Sequence, residues 1–296
     1  MTIAVPATPA PPVLDPVRFL ELEITRQCAL RCRHCYSNSG PAAGTGEMTT
    51  ADWMSVIEQA AAHPTITTVQ FIGGEPTDHP AFVELAEYAL LHGLQVAVFT
   101  NLLHVDEPLW ELFGRDGVKL STSWYTADRA QHDQITGQPG SWDATWANIA
   151  TARRLGLKVK VGMVEVLADQ DLTGGAEMLT MLGITDITRD HARPVGRAAR
   201  RASPPTGGDL CGRCGDGRAA IDTDGRLMPC VLGRGFDAGN VTQTPLAELL
   251  NGEAWHRVLG AIPRRTGAVH ACNPDSDGND CSPAETEACN PAYDDD

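Results

Sequence analysis

Short apolar stretches with strand spacing recur along the chain, separated by longer segments with helical spacing. Phe19-Leu20-Glu21-Leu22-Glu23-Ile24 alternates apolar and polar positions, the period of a strand. Ala51 to Ala62 reads as a helix with Thr49 or Thr50 as its N-cap. A second strand follows over Thr67 to Ile72. Next comes a helix over Pro80 to His92, opened by proline and closed by Gly93. Leu94 to Thr100 is a third strand, with a helix near Glu107 to Phe113. Val118 to Ser123 is a fourth, with a helix from about Trp142 to Leu155. Leu157 to Val166 is a fifth, with a helix ending near Leu182. Ile184 to Thr188 reads as a short sixth strand.

Strands that alternate with helices predict parallel pairing through right-handed crossovers. Six such units are too few for a closed eight-stranded barrel. The expected fold class is therefore α/β, a partial (β/α)6 TIM-like barrel, with a small Cys-rich C-terminal extension. In parallel barrels the reactive groups gather at the C-terminal ends of the strands. The expected domains are a flexible, proline-rich lead-in over 1–17, the barrel over 18–206 and the extension over 207–296.

The cysteines mark the same division. Cys28, Cys32 and Cys35 lie together after the first strand. The other six, Cys211, Cys214, Cys230, Cys272, Cys281 and Cys289, all follow the sixth strand. The N-terminus lacks the basic and continuous apolar regions of a secretory signal. Cysteines in a reducing compartment bind metal or do redox chemistry more often than they form disulfides. A cytoplasmic location is expected.

The run Cys28-Ala29-Leu30-Arg31-Cys32-Arg33-His34-Cys35, followed by Tyr36, offers three thiolates from one loop. A tetrahedral zinc site or a four-iron cluster takes four ligands. Three from one loop leave either a distant fourth ligand or an open iron. CxxxCxxC followed by an aromatic residue resembles the signature of the radical S-adenosylmethionine (radical SAM) enzymes. The resemblance implies a [4Fe-4S] cluster on Cys28, Cys32 and Cys35 whose open iron chelates SAM. It also implies reductive cleavage of SAM to a 5'-deoxyadenosyl radical.

Gly73-Gly74-Glu75-Pro76, directly after the second strand, resembles the element with which these enzymes hold the methionine amino group. Glycines there let a ligand approach the backbone, and Glu75 can accept a charge-assisted hydrogen bond. The resemblance extends to Asn101 after the third strand and to Ser121 and Ser123 on the fourth. It assigns Tyr36, Gly73, Gly74, Glu75, Pro76, Asn101, Ser121 and Ser123 to the cofactor. Leu102 stands where the family often has glycine, and Tyr125-Thr126 where Asp-Gly is usual. His132-Asp133 and Gly137 match a segment of the peptide-modifying members, and the first two read as structural. Arg189, Asp190 and His191, on the sixth strand, are expected to face the barrel mouth and contact substrate. They precede Pro194-x-Gly196-Arg197-Ala198, a segment similar to one common in the family.

Beyond Gly207, Cys211-x2-Cys214 precedes a hairpin pattern. Two short apolar runs, Ala219 to Asp222 and Arg226 to Cys230, flank Thr223-Asp224-Gly225. The hairpin brings Cys230 back beside the CxxC pair. This resembles the opening of the SPASM extension, which carries auxiliary iron–sulfur clusters. Cys272, Cys281 and Cys289 depart from the tight cysteine group of a full SPASM module. The six C-terminal cysteines cannot fill two four-cysteine sites. One auxiliary cluster with four cysteines, or two with incomplete ligation, remain open, as does structural zinc. Asn273 to Gly278 resembles the start of a calcium loop, but Ala284 stands where the bidentate Glu is required, and calcium is rejected.

The net charge of −15 argues against nucleic-acid or anionic-membrane binding. The family resemblance implies an external electron donor of flavodoxin or ferredoxin type. Its first implied substrate is a ribosomally made precursor peptide, crosslinked or epimerised. The alternative is dehydrogenation or epimerisation of a sugar, aminoglycoside or other small natural product. The segment before the first strand is too short for the leader-binding domain of many peptide maturases, so a separate leader-binding protein is an expected partner.

Overall fold

A computed structural model describes residues 14–199 and 206–264. The strands are β1 (Phe19–Thr25), β2 (Thr68–Gly73), β3 (Gln95–Phe99), β4 (Val118–Ser123), β5 (Val159–Glu165), β6 (Ile187–His191), β7 (Arg218–Ile221) and β8 (Leu227–Met228). They form one sheet in the order β6-β5-β4-β3-β2-β1-β7-β8. Every pair is parallel except β7 with β8. The helices are α1 (Thr50–Ala62), α2 (Phe82–Leu91), α3 (Glu107–Phe113), α4 (Arg129–Thr136), α5 (Ser141–Arg154), α6 (Leu172–Met181), α7 (Leu246–Asn251) and α8 (Glu253–Gly260). The strand–helix alternation produces the expected open, parallel barrel.

Alternation along β1 separates two environments. Leu20, Leu22 and Ile24 join Trp53, Ile57, Phe82 and Leu85 in the main core between sheet and helices. Glu21 and Glu23 lie on the other face and are equally buried. A buried carboxylate needs a partner, and both partners come from beyond residue 206. Glu21 accepts from Val231 N at 3.2 Å and pairs with Arg218 at 3.5 Å. Both oxygens of Glu23 accept from the Arg234 guanidinium.

The C-terminal hairpin therefore continues the barrel sheet. β7 pairs with β1 from Phe19↔Arg218 to Leu22↔Ile221. The sixth strand lies three residues later than the pattern predicts. Gly183 leaves α6 with φ 80°, and Ile184 N bonds back to Leu179 O at 3.0 Å. Apolar Ile184 is thus buried in a turn rather than in a strand. Apolar spacing does not predict helix α4, whose composition is polar. Its ends carry the missed signals: Asp128 accepts from Gln131 N at 2.9 Å, and Gly137 terminates it with φ 69°.

Candidate cluster and cofactor site

The cysteine loop follows β1 and is held by backbone contacts at several points. Cys28 N donates to Gly40 O at 3.4 Å. Arg31 N and Arg33 N donate to Thr136 O and Ile135 O at the end of α4, at 2.8 and 2.9 Å. Arg197 donates to Cys32 O at 2.5 Å and to Ser39 O. The glycines of the two matching segments allow this approach. A Cβ on Gly196 would lie 2.2 Å from Tyr36 O, and one on Gly137 would lie 2.9 Å from Arg31 O.

Cys28, Cys32 and Cys35 line one cavity with Tyr36, Gly73, Gly74, Asn101 and Ser123. Among the lining residues outside the expected cofactor set are His34, Tyr125 and His132. His34 sits inside the cysteine motif, so its position there was the available signal. His132 reads from the sequence as structural. Its Nδ1 does bond Ser141 Oγ at 3.1 Å, but its ring borders the cavity. Asp133 keeps the structural role, accepting from Gly140 N, Ser141 Oγ and Trp142 N. Burial lowers both histidines to about 4, with Arg197 adding to the effect at His34 and Asp133 opposing it at His132. Both rings are therefore neutral at pH 7.

Glu75 and Pro76 do not line this cavity. Glu75 is 3% exposed. Its carboxylate accepts from Asn101 N at 2.7 Å, Thr77 Oγ1 at 2.8 Å and Thr77 N at 3.2 Å. It ties the ends of β2 and β3 together. Burial raises Glu75 to about 7, against the lowering effect of these hydrogen bonds. Pro76 opens a single 3-10 turn over Pro76–Asp78. Ser121 is buried two residues deeper than Ser123, in register with Phe99 and Lys160. Gly74 packs so closely that a Cβ would lie 2.1 Å from Gln27 O.

The three expected substrate residues do not share a face. Adjacent strand residues point to opposite sides. Arg189 lies in a groove with Thr173, Ala176, Glu177 and Thr180 of α6, outside the barrel mouth. Asp190 faces inward, buried, and pairs with Arg193 at 3.2 Å. Burial raises it to about 6, and Arg193 opposes the rise. His191 borders a second cavity with Arg33, Glu165, Arg193 and Arg197, which shares His34 with the first.

The donor set of the first cavity fits an iron–sulfur cluster. Cys28 Sγ accepts from Leu30 N at 3.4 Å, and Cys35 Sγ accepts from Ser39 N at 3.3 Å. Such N–H groups favour thiolates. In the metal-free protein burial pushes the Cys28 thiol up to about 12, with Glu75 adding to it, and raises Cys32 as well. The buried Tyr36 hydroxyl, His34 Nδ1 and His132 Nε2 have no hydrogen-bond partner among the described residues. They are polar atoms that a ligand in this cavity can satisfy.

A second thiol group lies in the extension. Cys211, Cys214 and Cys230 are buried, and Cys214 Sγ is 3.0 Å from Cys230 Sγ. Gly215 N donates to Pro229 O at 2.8 Å, which fastens the two arms. Arg264 donates to Cys214 O at 2.7 Å. Among the described residues no three His, Cys, Asp or Glu side chains form a group suited to one metal ion. A four-iron cluster spreads its ligands more widely, one thiolate to each iron. Cys272, Cys281 and Cys289 lie outside the described residues.

An open parallel barrel with a three-cysteine loop at its mouth and a second thiol group in the hairpin region that extends the sheet beside β1 is the arrangement of an iron–sulfur protein. Family models give the same result: residues 22–168 match the radical SAM superfamily, and residues 211–282 match the SPASM iron–sulfur cluster-binding domain. The chain belongs to the radical SAM superfamily and carries a SPASM extension. That membership implies a [4Fe-4S] cluster, SAM and auxiliary iron–sulfur binding.

The chain is 32% identical over 182 residues to the AdoMet-dependent heme synthase of Methanosarcina barkeri, covering 61% of this chain and 52% of that protein. It is 30% identical over 157 residues to the PqqA peptide cyclase of Gluconobacter oxydans, covering 53% and 42%. The chain thus spans about half the length of the curated relatives it matches. Among solved structures, Streptococcus suis SuiB bound to its precursor peptide SuiA has the same fold. The TM-score is 0.70 at 14% identity, over 88% of this chain and 70% of that one.

Proposed function

We propose that this protein cleaves SAM reductively and abstracts hydrogen from a residue of a ribosomally made precursor peptide. The observation that carries the radical reading is the shared cavity of Cys28, Cys32, Cys35, Gly73, Gly74, Asn101 and Ser123. Cys28, Cys32 and Cys35 would hold the cluster, which supplies the electron for SAM cleavage. Leu30 N and Ser39 N temper the charge on two of the thiolates. The N–H groups of Gly74 and Glu75 are spent on Thr25 O and Gln27 O. The carbonyl side of this turn is what it offers to the methionine ammonium. Glu75 acts first by fixing Asn101.

The peptide class rests on the similarity to the peptide cyclase. The similarity to the heme synthase supports a second reading, a small-molecule substrate. A flavodoxin or ferredoxin would donate the electron, and a separate leader-binding protein would deliver a peptide. Work in the cytoplasm is part of this proposal. No helix among the described residues is long and apolar enough to cross a membrane. Anaerobic incubation with SAM, dithionite and deuterated candidate substrates tests the proposal. Deuterium in 5'-deoxyadenosine from a precursor peptide supports the first reading. Transfer only from a tetrapyrrole or sugar supports the second, and no 5'-deoxyadenosine under any condition overturns both.

A further inference from the structure

Tyr36 immediately follows Cys35 and forms a corner of the cysteine loop. Its ring packs with Ile72, Phe99, Ala220, Met228 and Val231 in a small apolar cluster separate from the main core. That cluster draws on both the barrel and the extension. The Arg234 guanidinium lies over the Tyr36 ring, 5.7 Å from its centroid. The same guanidinium is anchored by both oxygens of Glu23 on β1, whose side chain is 2% exposed. Arg234 lies four residues after Cys230 on the loop leaving the hairpin. One residue of the extension therefore touches the strand that leads into the cysteine loop and the residue that leaves its third thiol.

A second grip on the same loop supports this reading. Arg26, two residues before Cys28, bonds Thr223 Oγ1 at 2.7 Å and pairs with Asp224, both in the hairpin turn. The extension thus holds the loop near its entrance and at its Cys35–Tyr36 corner. The two grips differ in environment. The Arg26 and Asp224 side chains are 41% and 12% exposed, against 25% and 2% for Arg234 and Glu23. The more exposed of two ion pairs contributes less. A buried carboxylate stripped of its cation is strongly destabilising.

We propose that Arg234 is a positioning residue through which the C-terminal extension sets the Cys35–Tyr36 corner of the cysteine loop. The extension is then part of the cluster-binding site, in addition to carrying its own thiols. The functional consequence rests on the radical SAM reading, but the positioning itself can be measured in metal-free protein.

The test is hydrogen–deuterium exchange of the peptide spanning Cys35 to Gly40. Its amides are bonded to Cys32 O, Cys35 O, Cys35 Sγ and Arg26 O. The full-length metal-free chain is compared with Arg234→Met, Arg234→Lys and the double variant Glu23→Gln/Arg234→Met. Arg234→Met leaves Glu23 buried and unpaired, and exchange in this peptide should rise by at least about tenfold. Arg234→Lys keeps the charge without the flat guanidinium and should fall between it and wild type. The double variant removes the unpaired carboxylate but not the loss over Tyr36, so it too should be intermediate. In reconstituted protein the SAM-bound EPR spectrum of the radical cluster should shift in the same order, with auxiliary iron retained.

Exchange in Cys35–Gly40 that is unchanged in Arg234→Met would overturn the proposal. So would a rise spread evenly over the chain, which marks a general strut. If Arg234→Met does not fold, the double variant decides: protection equal to wild type shows that Arg234 does not hold Tyr36. Should the wild type yield no 5'-deoxyadenosine, the radical reading falls while the exchange order still judges the positioning role.

Discussion

Glu75→Gln should change the pH dependence of stability in the metal-free protein. The Glu75 carboxyl is 3% exposed, and burial raises it from 4.5 to about 7. Below pH 4.5 the group is neutral in both states and folding carries no charge penalty. Between 4.5 and 7 the unfolded chain ionises first, so stability falls as pH rises. Above about pH 7 the full penalty is present, on the order of 3 kcal/mol. Glutamine removes that slope. It also replaces one oxygen by an NH2 group that cannot accept from Asn101 N or Thr77 N, a loss of about 1–3 kcal/mol. The variant should therefore be less stable than wild type near pH 4.5 and close to it, or slightly more stable, at pH 8. Urea denaturation of both proteins, reduced and metal-free, across this range measures the difference. A difference that stays flat with pH would refute the burial argument. In reconstituted protein the same variant tests the role implied by the family resemblance. Direct pairing with the methionine ammonium predicts a loss of SAM affinity of about tenfold or more, and a tie between β2 and β3 alone predicts much less.

Gly74→Ala forces a Cβ to 2.1 Å from Gln27 O and should weaken SAM binding by at least about tenfold, measured by equilibrium dialysis. Replacing Cys28, Cys32 and Cys35 together by alanine should abolish 5'-deoxyadenosine while auxiliary iron remains, and undiminished SAM cleavage would contradict the assignment. Anaerobic reconstitution should give about eight irons per chain with one auxiliary cluster or about twelve with two; four irons with stoichiometric zinc would assign the C-terminal thiols to zinc. Arg189→Ala should leave SAM cleavage and product yield within about twofold of wild type, because Arg189 lies beside α6 outside the mouth; a large loss would place it at the substrate after all.

Much of the site was legible because it is local in sequence. Cys28, Cys32 and Cys35 lie within one loop, and Gly73 and Gly74 end the strand beside it, so spacing alone brought them together. His34 was hidden in plain view between two cysteines. His132 is visible in the sequence as part of a matching segment, but only the packing of α4 brings its ring to the cavity. Arg189, Asp190 and His191 were grouped by adjacency, but strand alternation sends Arg189 to the helix side and Asp190 to an ion pair with Arg193.

By itself the sequence determined the alternating strand–helix order, the open parallel barrel, the two separate groups of thiols and the place of the glycine turn. These follow from short-range periodicity, from glycine and proline positions and from the spacing of reactive side chains. Only the tertiary structure decided that β7 joins β1, that Glu21 and Glu23 pair with Arg218 and Arg234, and that Val231 N donates to Glu21. It alone showed that the Glu75 carboxylate is engaged by Asn101 and Thr77. The reason is physical. A buried charge is tolerated only beside its partner, and here the partners lie up to 211 residues apart in the chain, a separation that no local pattern encodes.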